Sequence, residues 1–172
     1  MKTMPDVNRL HDPCPAQLRD LAEVLVDCVQ GGASVSFMLP LSLERATSFW
    51  EGVAKGVASG ERLLLVAQDA QGICGTVQLV LAQPENQPHR ADISKMLVHR
   101  RARRKGIGEA LMRAAEQAAR EAGKSLLVLD TASDAAERLY ERCGWHRVGA
   151  VPGYALLPDG TPCDTAYYWR RV

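Results

Sequence analysis

The chain has 172 residues, of which 47% are hydrophobic and 24% are charged, so it is long enough to bury a sizeable core. Its 21 lysines and arginines nearly balance its 20 aspartates and glutamates, which excludes the strongly basic composition typical of nucleic-acid-binding domains. We therefore expect one domain over residues 1–172 that binds neither nucleic acid nor a membrane.

The cysteines and histidines show no ligand or disulfide pattern. Five cysteines are an odd number, none is in a C-x-x-C spacing, and the four histidines are scattered, so we expect no metal. The first fifteen residues lack the apolar core of a signal peptide, and no stretch approaches the roughly 18 apolar residues of a membrane span. These features predict a soluble cytoplasmic protein; the sequence leaves open whether it is a monomer or a homodimer.

The first third of the chain predicts two helices around an apolar loop. Apolar residues at helical spacing indicate a helix over Ala16–Gln30, which Gly31 and Gly32 end. Ser42 can cap a second helix, whose apolar repeat stops before Gly60. The loop GGASVSFMLP lies between the two helices.

The middle of the chain predicts strands and one long helix. RLLLVAQ and ICGTVQLVLA form a hairpin pattern, and a third strand is expected over Arg90–Val98, after the polar loop 83–89. Apolar residues from Ile107 to Ala122 then repeat at helical spacing up to Gly123, and SLLVLD follows as a strand. Arg90–Val98, this helix and SLLVLD make one β-α-β unit.

The last third predicts a short helix and two closing strands. The helix covers Ala135–Arg142 and ends at Gly144, and the strands are WHRVGAV and TAYYWRRV. Turn signals lie between these strands at Pro152-Gly153 and at residues 158–160.

The segment HRRARRKGIGEALM, residues 99–112, concentrates the positive charge of the chain. Five of its six residues 100–105 are cationic, and without them the chain would have 21 − 5 = 16 basic against 20 acidic residues. A solvated turn and a nucleic-acid contact are both compatible with such a run. A dinucleotide fingerprint fails because its third glycine would be Leu111, and a phosphate-binding P-loop fails because its first glycine would be Ala118.

The two glycines of this segment favour a phosphate site. They open a helix directly after a strand, where unpaired N–H groups and the helix dipole attract an anion. Several charge-assisted hydrogen bonds of roughly 1.5–3 kcal/mol each reach the scale of a micromolar ligand, about −8 kcal/mol. A diphosphate fits this arrangement.

Two motifs resemble the GNAT acetyltransferase superfamily. Arg103–Gly108 is similar to its R/Q-x-x-G-x-G/A signature, and SDAAERLYERCGW, residues 133–145, is similar to its N-x-x-A-x-x-L-Y-E-x-x-G-F segment. GGASVSFM, LLVLDT and VPGYALLPDG further resemble the acetyltransferases that confer tabtoxin resistance. The resemblance implies the α+β GNAT acyl-CoA N-acyltransferase fold, with a mixed, mostly antiparallel sheet, helices on both faces, and acetyl-CoA as cosubstrate.

The resemblance also implies where acetyl-CoA binds. Backbone N–H groups from Arg104 through Glu109 would hold the pyrophosphate, basic side chains would face the adenosine 3′-phosphate, and the N–H of Val98 would polarise the thioester. Ser133 departs from the family's usual asparagine. The implied cofactor contacts are Met96, Leu97, Val98, Arg103, Arg104, Lys105, Gly106, Ile107, Gly108, Glu109, Ser133 and Ala136.

Catalysis would use three further side chains. Tyr140 occupies the family's tyrosine position, which implies a general acid that donates to the departing thiolate. Asp130, at the carboxyl end of its strand, and Asp92, inside the preceding strand, are both candidates for the base. Ser34 and Phe37 of the apolar loop, with Tyr154, are candidates for the acceptor wall.

The predicted function is acetyl transfer from acetyl-CoA to a small amine or hydroxyl in a ternary complex. The favoured acceptor is an amino-acid-like toxin or antibiotic. The catalytic alternatives are another small amine or a protein amino group, and a CoA-binding sensor without turnover is the alternative from a different class.

Overall fold

A computed structural model describes residues 6–172 as a seven-stranded sheet covered by helices. The strands are β1 (Val7–Leu10), β2 (Arg62–Asp69), β3 (Gly72–Val80), β4 (Arg90–Val98), β5 (Leu126–Thr131), β6 (His146–Leu156) and β7 (Pro162–Arg171). The helices are α1 (Pro15–Gln30), α2 (Leu43–Ala58), α3 (Ile107–Glu121) and α4 (Asp134–Arg142), with a short 3-10 helix at Arg100–Ala102.

The sheet is mixed and mostly antiparallel, as predicted. Its strand order is β1-β2-β3-β4-β5-β7-β6, and the pair β4–β5 is parallel while the other neighbours among the described strands are antiparallel. Helix α3 connects β4 to β5, which confirms the predicted β-α-β unit.

The pairing of β4 with β5 is short, and this shapes the site. It covers only Arg90–Asp92 against Leu126–Val128, after which the two strands diverge. Beyond that point β5 remains paired with β7, and β4 remains paired with β3. The divergence opens a cleft between β4 and β5 in the middle of the sheet, and the segment from Val98 to α3 lies at the β4 side of its mouth.

Two apolar cores lie on opposite faces of the sheet. Helices α1 and α2 pack Leu25 and Trp50 against alternate residues of β2, such as Leu64. Helix α3 packs Leu111, and α4 packs Tyr140, against the other face. Because side chains alternate along a strand, Leu127 and Leu129 face α3 and α4, whereas Asp130 faces the side of α1 and α2.

The structure departs from the predicted elements at both ends of the chain. Strand β1 was not predicted, because four residues with a mixed pattern carry little periodic signal. The predicted turn at Pro152-Gly153 is instead an irregularity inside β6. An edge strand tolerates the missing N–H of proline, and the N–H of Gly153 donates to a side-chain oxygen of Asp164 at 2.9 Å.

Among residues 6–172, no helix has the length and apolar character that crossing a membrane requires. The same residues contain no group of three or more His, Cys, Asp or Glu side chains that could hold a metal ion. All five cysteines are free thiols.

Candidate active site

The loop before α3 presents a row of unpaired backbone donors. Gly106 adopts φ +82°, a left-handed conformation that favours glycine, and no side chain caps the helix. Within residues 6–172, none of the six N–H groups from Arg104 to Glu109 donates to a protein acceptor, and the first bonded one is that of Ala110. A Cβ on Gly106 would meet nothing within 4 Å, so the space beside this residue is open. These residues fit a diphosphate, as the sequence predicts.

Three of the five cations of residues 100–105 are already engaged by the protein. The buried carboxylate of Asp27 accepts from the N–H of Arg100 at 2.9 Å and from its Nε at 2.7 Å. Burial alone would raise the pKa of Asp27, but these hydrogen bonds and the nearby His99 lower it below its usual value. Arg101 pairs with Asp69 at 3.1 Å. Arg100 and Arg101 therefore anchor the loop to the fold.

Arg103, the first residue of the signature, is exposed but also contacts the protein. Its Nε donates to the carbonyl oxygen of Val98 at 3.0 Å, and its Nη2 lies 3.9 Å from the sulfur of Cys28. The side chains of Arg104 and Lys105 are exposed and form no hydrogen bond or ion pair with the described residues. We expected all the basic side chains of this segment to face the 3′-phosphate. Only Arg104 and Lys105 remain available for that contact, since the other three contact the protein.

The peptide N–H of Val98 points into the cleft. The N–H of the next residue, His99, donates to the carbonyl oxygen of Cys74 on β3 at 2.9 Å. The carbonyl oxygen of Val98 instead accepts from Arg103. Since successive residues of an antiparallel strand alternate their bonding side, the N–H of Val98 faces away from β3, where β5 has already diverged.

The other predicted cofactor residues, on β4 and at the start of α3, also have contacts within the protein. Leu97 and Ile107 are buried, and Met96 packs against the α3 side. A Cβ on Gly108 would come within 2.9 Å of a methyl group of Leu139, so this glycine lets α3 approach α4. Glu109 forms an ion pair with Arg113 at 2.6 Å.

The start of α4 is held by its own residues. The hydroxyl of Ser133 accepts a hydrogen bond from the N–H of Ala136 at 3.3 Å and so caps the helix. The structure thus gives both predicted cofactor residues a local structural role.

Tyr140 is buried in the core between the sheet and helices α3 and α4. Only 5% of it is exposed, and its ring lies 6.2 Å from that of Trp145 and 6.0 Å from that of Tyr168. Its hydroxyl forms no hydrogen bond with residues 6–172. Burial, reinforced by the negative charge of Asp130, raises the pKa of Tyr140 well above its usual value, so the phenol keeps its proton.

The two candidate carboxylates differ in their surroundings. Asp92 is bound by its neighbours, since Gln83 donates to Oδ2 at 3.1 Å and Arg90 forms an ion pair with Oδ1. Asp130 receives no side-chain hydrogen bond from the described residues and opens into a cavity. Burial raises the pKa of Asp130 and the nearby Lys95 partly opposes this rise. Asp130 is thus the carboxylate that a bound molecule can reach.

The predicted acceptor residues meet in this same cavity, which has a volume of about 330 Å³. Ser34 and Phe37 line it from the loop between α1 and α2, Asp130 lines it from β5, and Tyr154 from β6. The hydroxyl of Tyr154 accepts from that of Tyr167 at 3.0 Å, and the ring of Phe37 stacks edge-on against Phe49 at 5.2 Å. We call this space the acceptor cavity.

The sequence did not identify two residues that shape the site, Asp27, which holds Arg100, and Lys95, which contacts Ser36. Asp27 lies on the buried face of α1, and a charge among apolar positions was the signal. Lys95 lies in β4 next to Ser94, and this pair of polar residues interrupts the strand pattern where the structure has a register shift.

Comparisons with known proteins place these features in one family. The Acetyltransferase (GNAT) family matches residues 36–145. An uncharacterized N-acetyltransferase from the hisH-hisA intergenic region of Azospirillum brasilense is 30% identical over 155 residues, which is 89% of each chain.

Solved structures show the same fold at lower identity. A ribosomal-protein-alanine N-acetyltransferase from Brucella melitensis superposes with a TM-score of 0.79 at 21% identity, covering 97% of this chain and 99% of the other. A GNAT superfamily phosphinothricin acetyltransferase from Sinorhizobium meliloti, solved with acetyl-CoA, gives 0.80 at 19% identity, covering 99% and 89%. The matched segment contains β4, the cofactor loop, α3 and Tyr140, and this chain therefore belongs to the GNAT family of acetyltransferases.

Proposed function

We propose that the protein transfers the acetyl group of acetyl-CoA to the amino group of a small molecule bound in the acceptor cavity. The observation that carries this proposal is the position of Asp130. It lies on β5 at the edge of the cleft and lines the cavity, so one carboxylate is shared by the predicted thioester position and the space for an acceptor.

Acetyl-CoA supplies an activated acetyl group as a thioester with a thiolate leaving group. The N–H groups from Arg104 to Glu109 would hold its diphosphate, and β4 from Met96 to Val98 would lie along its pantetheine arm. The N–H of Val98 would donate to the thioester oxygen as negative charge develops there, which needs no particular side chain.

Asp130 would act as the base. An amine attacks only after it loses its proton, and a carboxylate in contact with the acceptor can hold the ammonium and accept that proton directly or through water. The raised pKa of Asp130 makes it a better proton acceptor than an ordinary aspartate. Asp92, occupied by Arg90 and Gln83, is the weaker candidate for this role.

Tyr140 would donate to the departing thiolate. The phenol is protonated at neutral pH and its hydroxyl is not committed to a described residue, but its raised pKa makes it a weak acid, so its main contribution would be a hydrogen bond to the thiolate. A thiol has an ordinary pKa near 8.5, so its thiolate leaves readily and the expected contribution of Tyr140 is modest.

The cavity favours a small acceptor. A volume of about 330 Å³ lies at the lower end of small-molecule pockets and suits a compound of amino-acid size. The resemblance of GGASVSFM and VPGYALLPDG to tabtoxin-resistance acetyltransferases supports an amino-acid-like toxin or antibiotic. The Brucella and Sinorhizobium enzymes are named for a protein and a small-molecule acceptor at nearly the same TM-score, so the fold alone does not choose between them.

Two measurements test the proposal. Isothermal titration with acetyl-CoA should give saturable binding in the micromolar range. Release of free thiol should then be followed over a panel of amino acids, polyamines and short peptides, with acetyl-CoA alone as the control for hydrolysis. We expect release above that control with amines of amino-acid size. Binding without release for any amine would favour a CoA sensor, and absence of binding would reject the proposal.

A further inference from the structure

The acceptor side of the site contains a strained hydrogen-bonded pair, Ser36 and Lys95. Among residues 6–172, three residues other than glycine have positive φ: Ser36 at 75°, Lys95 at 50° and Arg104 at 60°. Arg104 belongs to the cofactor loop, and the other two are joined by a hydrogen bond of 3.2 Å from the Nζ of Lys95 to the Oγ of Ser36. Left-handed backbone is unfavourable for such residues, and its persistence at one place indicates a functional constraint.

The strain at Lys95 comes from an irregularity in β4. Ser94 pairs with Gln78 and Leu97 pairs with Thr76, so Lys95 and Met96 both stand opposite a single residue of β3. Such a bulge redirects the side chain that it contains. Here it directs the ammonium group of Lys95 toward the loop between α1 and α2.

Lys95 is a half-buried cation without a counter-ion. Its Nζ lies 5.9 Å from the ring centroid of Phe49, and no carboxylate of residues 6–172 forms an ion pair with it. The hydrogen bond to Ser36 occupies only one of the three N–H donors of the Lys95 ammonium. Burial lowers the pKa of Lys95, and the negative charge of Asp130 partly opposes this change. A partly desolvated ammonium in this position is stabilised by any anion that can reach it.

The acceptor cavity offers the place for such an anion. The cavity is lined by Ser36, which is the hydrogen-bond partner of Lys95, and by Asp130, whose negative charge acts on the pKa of Lys95. Lys95 does not itself line the cavity, but its ammonium lies directly behind the hydroxyl of Ser36, so an anionic group beside Ser36 would approach it while Asp130 faces the same space. This arrangement is complementary to a zwitterion.

We propose that Lys95 binds an anionic group of the acetyl acceptor, so that preferred acceptors carry a carboxylate or another oxyanion close to the amine that Asp130 receives. The inference rests on the proposed acetyl transfer. It narrows the acceptor class to amino acids and to analogues in which another oxyanion replaces the carboxylate. Polyamines and neutral amines are disfavoured, since they would add a cation or leave Lys95 unpaired.

The test compares each accepted amino acid with its primary amide, for example L-methionine with L-methioninamide. The variants are K95Q, which removes the charge but keeps a donor for Ser36, K95R, which keeps the charge, and K55Q, which removes the same charge from an exposed position of α2. We expect K95Q to raise KM for the acid at least about tenfold and to leave kcat and KM for the amide within about twofold. K95R should recover much of the acid's KM, and K55Q should change neither acceptor.

Two results would overturn the inference. One is a wild-type enzyme that acetylates amides or polyamines as well as acids. The other is an equal loss of kcat for acid and amide in K95Q, which would make Lys95 a base or a structural residue. In both cases acetyl transfer itself would still be observed, so the proposed function would stand. If no amine raised thiol release above the control with acetyl-CoA alone, the proposed function would be rejected, and the inference with it.

Discussion

The cofactor loop and the acceptor cavity lie on either side of the cleft between β4 and β5, but they are built differently. The loop is one contiguous segment, 103–109, and it presents backbone N–H groups. The cavity is assembled from four segments of the chain, at residues 34–38, 130–132, 154–156 and 165. Backbone donors are insensitive to side-chain identity, whereas the cavity changes with each substitution. One half can therefore keep its cofactor while the other changes its acceptor.

Replacement of Gly106 by valine should break the cofactor half alone and give the largest effect. A β-branched residue at φ +82° is strained, so the backbone that orients the donors would have to rearrange even though a Cβ itself meets no neighbour. Loss of about two charge-assisted hydrogen bonds at roughly 1.5–3 kcal/mol each predicts at least a hundredfold weaker binding of acetyl-CoA by isothermal titration.

Gly52→Val is the matched control for Gly106→Val. Gly52 lies in α2, and a Cβ there would also meet nothing within 4 Å, but its φ is not positive. We expect wild-type affinity for acetyl-CoA in this variant. Equal affinities in the two variants would show that the loop does not hold the diphosphate.

Replacement of Asp130 by asparagine should break the acceptor half alone. Removal of a general base lowers kcat/KM by about a hundredfold or more, whereas the affinity for acetyl-CoA should not change. Because Asp130 must be ionised and its pKa is raised, activity of the wild type should fall as pH decreases through that pKa. The acid limb of the profile should disappear in D130N.

Asp92→Asn provides the comparison within the same pair of strands. Its carboxylate is occupied by Arg90 and Gln83, so we expect kcat/KM within about threefold of wild type and an unchanged pH profile. If the acid limb of the pH profile were flattened in D92N and intact in D130N, Asp92 and not Asp130 would be the base.

The same difference explains how much could be read from the sequence. The glycines after β4 identified the loop because its chemistry depends on local backbone geometry, and the boundaries of β4 were predicted correctly. The roles of the individual cations in residues 100–105 could not be predicted from the sequence. Asp27, the partner of Arg100, is 73 residues away in sequence, and charge alone does not show which cations the fold itself uses.

The acceptor cavity was readable only in part. Ser34, Phe37, Asp130 and Tyr154 were singled out separately, but their meeting depends on β7 lying between β5 and β6, which no local pattern encodes. The orientation of Lys95 depends on a one-residue register shift in β4. A shift of this kind follows from the packing of the strand against its neighbours and leaves only an interrupted alternation in the sequence.

The smallest effects should divide the cations of residues 100–105 into two kinds. Arg104→Gln with Lys105→Gln removes the exposed charges, so acetyl-CoA binding should weaken about fivefold to tenfold, with little weakening for the 3′-dephospho analogue. Arg100→Gln should leave that affinity unchanged and lower the free energy of unfolding by about 1–2 kcal/mol in urea, because the buried Asp27 keeps the backbone N–H of residue 100 but loses the guanidinium. The pKa of Asp27 is lowered in the fold, so its contribution is complete at neutral pH and is lost only as pH falls below the ordinary value of 3.8. The stability difference between Arg100→Gln and wild type should therefore narrow in acid. If Arg100→Gln instead weakened acetyl-CoA binding at unchanged stability, Arg100 would belong to the ligand and not to the fold.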